Sequence, residues 1–254
     1  MTLPRLHPAT LAGLPSAVRR PRFERTALRI GIVHLGLGAF MRAHLAAAND
    51  DALDAGGALD WGICGVSLRH ADTRDALAPQ AGLYTLALRD AAGQQLRVVG
   101  SLLQCLVAPE SPSAVLQRIA HADTRIVSLT VTEKGYAHDP ATGRLREDHP
   151  DIAHDLRQPL ARRGDDATAA PRSAVGFIVH GLALRRARGL PPVTLLSLDN
   201  LPHNGRTLQG LVLAFARRAD AALADWIETR CTFPNSMVDR IVPATTDGDR
   251  AEVA

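Results

Sequence analysis

The sequence predicts an α/β domain, a wound parallel sheet with helices on both faces and an inserted β-hairpin. Three observations carry this. The apolar run Ile30, Ile32, Val33 and Leu35 leads straight into Gly36 and Gly38 and then into the alanine- and leucine-rich stretch from Arg42 to Asp54, which reads as strand, tight turn and helix. Apolar runs of strand length recur at Trp61–Leu68, Arg125–Val131 and Val193–Leu198, alternating with segments of helical spacing. Polar residues collect just past the strand ends, as TEKGY after Val131 and DNLPHNG after Leu198.

In chain order, Met1–Thr26 holds four prolines and five arginines, so residues 1–27 read as an extended surface arm and residues 28–254 as the domain. Gly56-Gly57 closes the first helix, and the second strand follows at Trp61. A helix is expected from Thr73. Leu83–Leu88 and Leu96–Val107 are strand-like and joined through Gly93, which predicts the hairpin. A helix from Ser113 to Ala120 precedes the Arg125–Val131 strand. From Tyr136 to Pro171 the chain turns polar and irregular, with one short helix near Asp151–Leu156. Val175, Ile178, Val179 and Leu182 place a helix over Ser173–Arg188, stopped by Gly189 and two prolines. After the Val193–Leu198 strand come helices over Thr207–Arg218 and Ala221–Thr229, then Cys231–Arg240 and a polar tail.

Composition narrows the partners. The 254 residues suffice for a large core, and a hydrophobic content of 46% fits a globular protein. A formal charge of +3 with 4% aromatics argues against nucleic acid and for small molecules. Cys64, Cys105 and Cys231 are widely spaced in apolar settings, the N-terminus lacks the apolar core of a signal peptide, and no run reaches transmembrane length. These features predict a cytoplasmic protein without a membrane partner. The ten histidines are scattered outside any zinc-binding spacing, so no metal is expected.

The first turn is half of a dinucleotide-binding fingerprint. Gly36, Leu37, Gly38, Ala39 and Phe40 bring backbone amides and a helix's positive end to bear on a phosphate, but Met41 stands where G-x-G-x-x-G has its third glycine. Beyond the second strand, Asp72 is placed to accept hydrogen bonds from an adenosine ribose or to cap the following helix, and Arg69 to stack on adenine or receive a 2′-phosphate. NAD is the expected cofactor on the strength of Asp72; Arg69 keeps NADP open.

Taken in order, GLGAFMRAH, WGICGVSLR, GLYTLALRD, SLTVTEKGY, DPATGRL, HPDIAHDL, LSLDNLPHNG and TFPNSMVDRIVPATT resemble the mannitol dehydrogenase family of polyol-specific long-chain dehydrogenases, which includes fructuronate reductase. The resemblance spans nearly the whole chain from Leu28. It implies a Rossmann-like cofactor domain and an enzyme that passes hydride between NAD or NADP and a secondary alcohol of a polyol or sugar acid, without metal. The family pattern G-x-G-x-F-H-R-A-H has histidine where this chain has Met41. The resemblance also implies a second, helical domain carrying a base lysine in a Lys-x-x-x-x-Asn-x-x-His pattern. That pattern does not occur here, and the chain resembles the first domain only.

Within the resemblance, Asn200 of DNLP corresponds to an asparagine that stabilises the developing oxyanion, a role suited to a fixed amide donor; the alternative for it is a turn residue before Pro202. Val238 and Asp239 of SMVDR match positions at the substrate, with Asp239 and Asn235 open to turn-capping roles instead. Thr132, Glu133 and Lys134 fall at the cofactor. Lys134, the only lysine in the chain, is not the missing base, since it lies in a loop without the Asn and His spacing; it is either a charge near the cofactor, compensated by Glu133, or a solvated side chain. Two rival readings are a dinucleotide-binding module without turnover and a methyltransferase using the glycine turn for an adenosyl cofactor. The TEKGY and DNLP motifs disfavour the second.

Overall fold

The computed structural model describes residues 5–91, 93–139, 141–238 and 240–253, without the side chains of Glu133 and Lys134. Strand β1 (Ile30–Leu35) is followed by helices α1 (Ala39–Ala43) and α2 (Leu45–Asp54), then β2 (Gly62–Ser67) and α3 (Asp72–Leu77). The antiparallel pair β3 (Tyr84–Asp90) and β4 (Gly93–Val99) comes next, then β5 (Leu102–Val107), α4 (Pro112–Ile119) and β6 (Ile126–Leu129). A one-turn helix α5 (Thr132–Gly135) and α6 (Pro150–Leu156) lead to α7 (Ala174–Ala187), β7 (Thr194–Ser197), α8 (Asn204–Ala219), α9 (Ala221–Arg230) and α10 (Asp247–Val253).

Five strands form one parallel sheet in the order β5-β2-β1-β6-β7. The chain winds outward from β1 through β2 to β5, returns through α4 to β6 beside β1, and ends at β7. The winding therefore reverses between β1 and β6, and their carboxyl ends open a crevice. Residues of β1 alternate between two cores because successive side chains of a strand point to opposite faces. Val33 and Leu35 join Val127, Leu129 and Leu195 beneath α4, α7 and α8; Ile32 joins Ile63, Leu102 and Met41 beneath the hairpin.

Two expected elements are divided in the structure. The apolar run Leu96–Val107 is two strands, of which only the first belongs to the hairpin; β5 pairs with β2 in the main sheet. The break is made by Asp50 of α2, whose buried carboxylate accepts the amides of Gly100 and Ser101, each at 2.8 Å. The helix expected over Arg42–Asp54 begins earlier and breaks at His44 (φ −112°, ψ −77°). Side chains from elsewhere occupy the carbonyls that a continuous helix needs: Tyr84 Oη donates to Arg42 at 2.7 Å, and Arg240 donates to Ala43.

Three other segments are more ordered than their sequence suggested. TEKGY, read as a loop, contains α5. Helix α8 starts at Asn204 rather than Thr207 because Asn235 Oδ1 accepts the amides of Gly205 and Arg206 at 3.0 and 3.2 Å. The tail forms α10, opened by a reciprocal cap between Thr246 and Asp249 and met by Arg89 of β3, which pairs with Asp249 and Glu252. In the arm, Arg19 pairs its backbone with β4, donating to Leu96 O at 3.0 Å and accepting from Val98 N at 2.8 Å. Among the described residues no helix is long and apolar enough to cross a membrane.

Candidate cofactor site

The crevice at the β1/β6 reversal is a cleft of about 550 Å³, within the size range of small-molecule sites. Its floor is Gly36, Leu37 and Gly38 after β1 and Thr130, Val131 and Thr132 after β6. One wall is Ser67–His70 with Asp72 and Thr73, beyond β2; the other brings back His149, Asp151 and Arg172–Ala174 from the excursion and the start of α7.

The two glycines of the turn have different reasons to be glycine. Gly36 has φ +103°, and a Cβ there would sit 2.1 Å from Thr130 O, so the fold itself forbids a side chain. Gly38 has φ −91° and no described atom nearer than 3.9 Å to an added Cβ, so no described residue fills that space. A ligand backed against the turn would use it. Gly38 N–H donates to Gly36 O at 2.7 Å, and no described side chain caps α1, which leaves its first amides without a partner among the described residues. Met41, at the position of the fingerprint's third glycine, is fully buried with Ile32, Leu37, Tyr84 and Leu102. It fills the space between the sheet and the hairpin.

A buried hydroxyl-imidazole chain holds the turn against β6. Thr130 Oγ1 donates to Gly36 O at 3.1 Å, so it accepts from Nε2–H of His34 at 2.9 Å, and the ring's Nδ1 accepts from Ser128 Oγ at 2.8 Å. Burial pushes the His34 pKa down to about 3, so the ring is neutral and its tautomer is set by the two hydroxyls.

A carboxylate fixes the second floor loop. Asp199, at the end of β7, accepts from Val131 N at 3.0 Å, Thr132 N at 3.1 Å and Tyr136 Oη at 2.8 Å. These bonds hold Thr132 in the left-handed region at φ +63°, where a β-branched residue is strained. Tyr136 is fully buried and also bonds Ser197 Oγ at 2.6 Å; burial next to Asp199 raises its pKa, so it is a neutral donor.

The structure brings Gly36, Leu37, Gly38, Arg69, Asp72 and Thr132 together around the cleft. Arg69 and Asp72 are both exposed there, and their side chains make no hydrogen bond to a described residue. Helix α3 begins at Asp72 itself, with Ala71 as its N-cap and no side-chain capping bond, so the alternative of Asp72 as the cap is not what the structure contains. Ala39 and Phe40 open α1 outside the cleft lining, with the Phe40 ring set 5.0 Å from His44. The side chains of Glu133 and Lys134, and all of Asp239, fall outside the described residues.

Asn200 is exposed, outside the cleft lining, and without a hydrogen bond to a described residue. The asparagine held firmly in this motif is Asn204, buried and bonded through Nδ2 to Asp199 O at 3.0 Å and Ser236 Oγ at 2.8 Å, with Oδ1 accepting Ser236 N at 2.9 Å. It ties the end of β7 to the TFPNSM segment, after which Val238 is buried. Sequence reading missed Asn204, Asp199, His34, Tyr136 and Arg172. His34 and Ser128 did carry a signal: each is a lone polar residue inside an apolar strand, and they are register partners across β1 and β6.

Comparison with known proteins agrees with this geometry. Residues 30–254 match the family model of the mannitol dehydrogenase Rossmann domain. The chain is 44% identical over 241 residues to the mannitol 2-dehydrogenase of Pyricularia oryzae, covering 94% of this chain and 46% of that protein. It is 44% identical over 243 residues to the uncharacterized oxidoreductase YeiQ of Escherichia coli, covering 95% and 48%. The ternary complex of Pseudomonas fluorescens mannitol 2-dehydrogenase with NAD and D-mannitol superimposes with a TM-score of 0.90 at 41% identity, over 98% of this chain and 49% of that one. A D-sorbitol dehydrogenase in substrate-free form gives 0.89 at 35% identity, over 98% and 50%. The chain thus spans about half the length of its relatives. It belongs to the mannitol dehydrogenase family and carries that family's Rossmann domain.

Proposed function

We propose that this chain is the cofactor-binding half of an NAD-dependent dehydrogenase that interconverts a secondary alcohol of a polyol or sugar acid with its ketone, as in mannitol/fructose or mannonate/fructuronate. The observation that carries the reading is the cleft at the β1/β6 reversal, where Gly38 leaves space that no described residue uses. It is supported by the likeness to the enzyme solved with NAD and D-mannitol. The cofactor supplies a hydride acceptor; this chain binds and orients it.

The residues divide by position. Gly36, Leu37, Gly38 and the amides of Ala39 and Phe40 receive the pyrophosphate, while Asp72 accepts the ribose hydroxyls beside Arg69. Thr132, held by Asp199, borders the nicotinamide end together with Glu133 and Lys134. Asn200, exposed past β7, donates to the alcohol oxygen as it gains negative charge, and Val238 and Asp239 are assigned to the substrate by the family resemblance. An oxyanion donor works only if it is preorganised, and Asn200 is not held by the described residues. Its fixing falls to the substrate or to a facing structure.

A second reading, dinucleotide binding without turnover, is favoured for these 254 residues alone, because they contain no Lys-x-x-x-x-Asn-x-x-His pattern. A reducing cytoplasm is the compartment this function assumes, and Cys64, Cys105 and Cys231 are all free thiols. Titration of the purified chain with NAD, NADP and an adenosyl methyl donor tests the proposal. Saturable NAD binding, tighter than NADP and without binding of the methyl donor, is expected. Binding of the methyl donor alone would overturn it, and mannitol or mannonate oxidation by this chain would overturn the second reading.

A further inference from the structure

Beyond the glycine turn, the wall facing it carries a cation whose backbone the fold fixes and whose guanidinium no described residue engages. Arg172 lines the cleft immediately before α7, is exposed, and its guanidinium makes no ion pair or hydrogen bond to a described residue. The backbone beneath it is fixed. Asp155, fully buried on α6, accepts Arg172 N at 2.8 Å, Ser173 N at 2.9 Å and Ser173 Oγ at 2.6 Å, and Ser173 Oγ in turn accepts Gly176 N at 2.9 Å. A Cβ on Gly176 would lie 2.0 Å from Asp155 Oδ2, so α7 gives up a side chain to admit this carboxylate.

The electrostatics of the cleft give such a cation a purpose. A dinucleotide brings two phosphate charges to a turn that offers only backbone dipoles, and Asp72 and Asp151 line the same cleft. Among the described cleft residues the permanent cations are Arg69 and Arg172. Arg69 sits beyond β2, on the wall with Asp72, whereas Arg172 stands on the opposite wall beside Ser173 and Ala174. A guanidinium there adds a charge-assisted, bidentate contact that a main-chain cradle lacks.

We infer that Arg172 is a cofactor-binding residue that neutralises the pyrophosphate of the bound dinucleotide from the wall facing Gly36–Gly38, with Asp155 as the residue that positions it. The inference rests on the proposed NAD reading of the cleft. The test is equilibrium titration of wild-type chain, Arg172→Ala and Arg172→Lys with NAD, ADP-ribose and adenosine at two salt concentrations. Loss of one charged hydrogen-bonding contact predicts that Arg172→Ala weakens NAD and ADP-ribose about tenfold or more, with adenosine unchanged. Arg172→Lys recovers part of the loss, and the salt dependence of NAD binding is shallower in Arg172→Ala than in wild type. Wild-type NAD binding with an unchanged affinity in Arg172→Ala would overturn the role of Arg172 while leaving the NAD reading intact. So would an equal loss for adenosine, which marks a change of cleft shape. If the wild-type chain binds neither NAD nor ADP-ribose, the NAD reading and this inference fall together.

Discussion

Replacing Gly36 and Gly38 by alanine, one at a time, separates what the fold requires from what a ligand requires. At Gly36 the added methyl meets Thr130 O at 2.1 Å on a backbone with φ +103°. The backbone conformation alone costs an L-residue about 1–2 kcal/mol, and relieving the clash parts β1 from β6, so Gly36→Ala should lose about 3 kcal/mol or more. For a chain of this size that is a fall in Tm of roughly 6–12 °C. At Gly38 the φ of −91° is ordinary and the nearest atom is 3.9 Å away, so Gly38→Ala should stay within about 0.5 kcal/mol of wild type. Its NAD affinity should nevertheless fall by an order of magnitude or more, because the methyl occupies the space left for the phosphates. Thermal unfolding and NAD titration of both variants form the assay. A Gly38→Ala protein that binds NAD like wild type would refute the reasoning, as would a Gly36→Ala protein of wild-type stability.

Other predictions concern the supports beneath the cleft. Asp199→Ala leaves Val131 N, Thr132 N and part of the Tyr136 hydroxyl's bonding unmet, a loss of about 2–4 kcal/mol in urea unfolding; a loss below about 0.5 kcal/mol would remove Asp199 from this role. His34 has a folded pKa of about 3, below its ordinary 6.5, so the unfolded chain takes up a proton first as pH falls. Stability is complete above pH 6.5 and declines toward pH 3, by about 1.4 kcal/mol per pH unit from this one group. His34→Gln should flatten that part of the stability profile, and an unchanged slope would contradict the neutral buried ring. Met41→Ala, which opens a cavity between sheet and hairpin, should cost about 2–5 kcal/mol by chemical denaturation, whereas a neutral result would show that the site collapses freely.

Much of the architecture was legible because it follows from period and punctuation. Apolar runs of strand length separated by helical spacing gave the parallel sheet, and Gly36 and Gly38 marked the cofactor turn. The boundaries that misled were set by contacts distant in sequence. Nothing local in Leu96–Val107 announces a break, since the break is made by Asp50, 50 residues upstream. Nor does Arg42–Asp54 contain a helix breaker; Tyr84 and Arg240 take its carbonyls. At the site, Gly36, Leu37 and Gly38 of the turn meet Arg69 and Asp72 from the β2 end in one cleft, while Ala39 and Phe40 lie outside its lining. The supports were hidden for the same reason as the breaks: Asp199 and Asn204 act on segments 67 and 32 residues away. DNLPHN was read for Asn200, the member that points to solvent, while its aspartate and second asparagine build the loop. Met41 departs from both the fingerprint and the family pattern, and its place in the apolar cluster under the hairpin accounts for it.

The central claim, that a nicotinamide dinucleotide lies across the β1/β6 reversal with its phosphates on the Gly36–Gly38 turn, is tested most directly by amide hydrogen exchange of this chain with and without NAD. The account predicts slowed exchange at the start of α1, from Ala39 to Met41, and at Val131–Thr132, with the outer edge of the hairpin unchanged. Saturating NAD that leaves the amides of Ala39–Met41 exchanging at their free rate would contradict it.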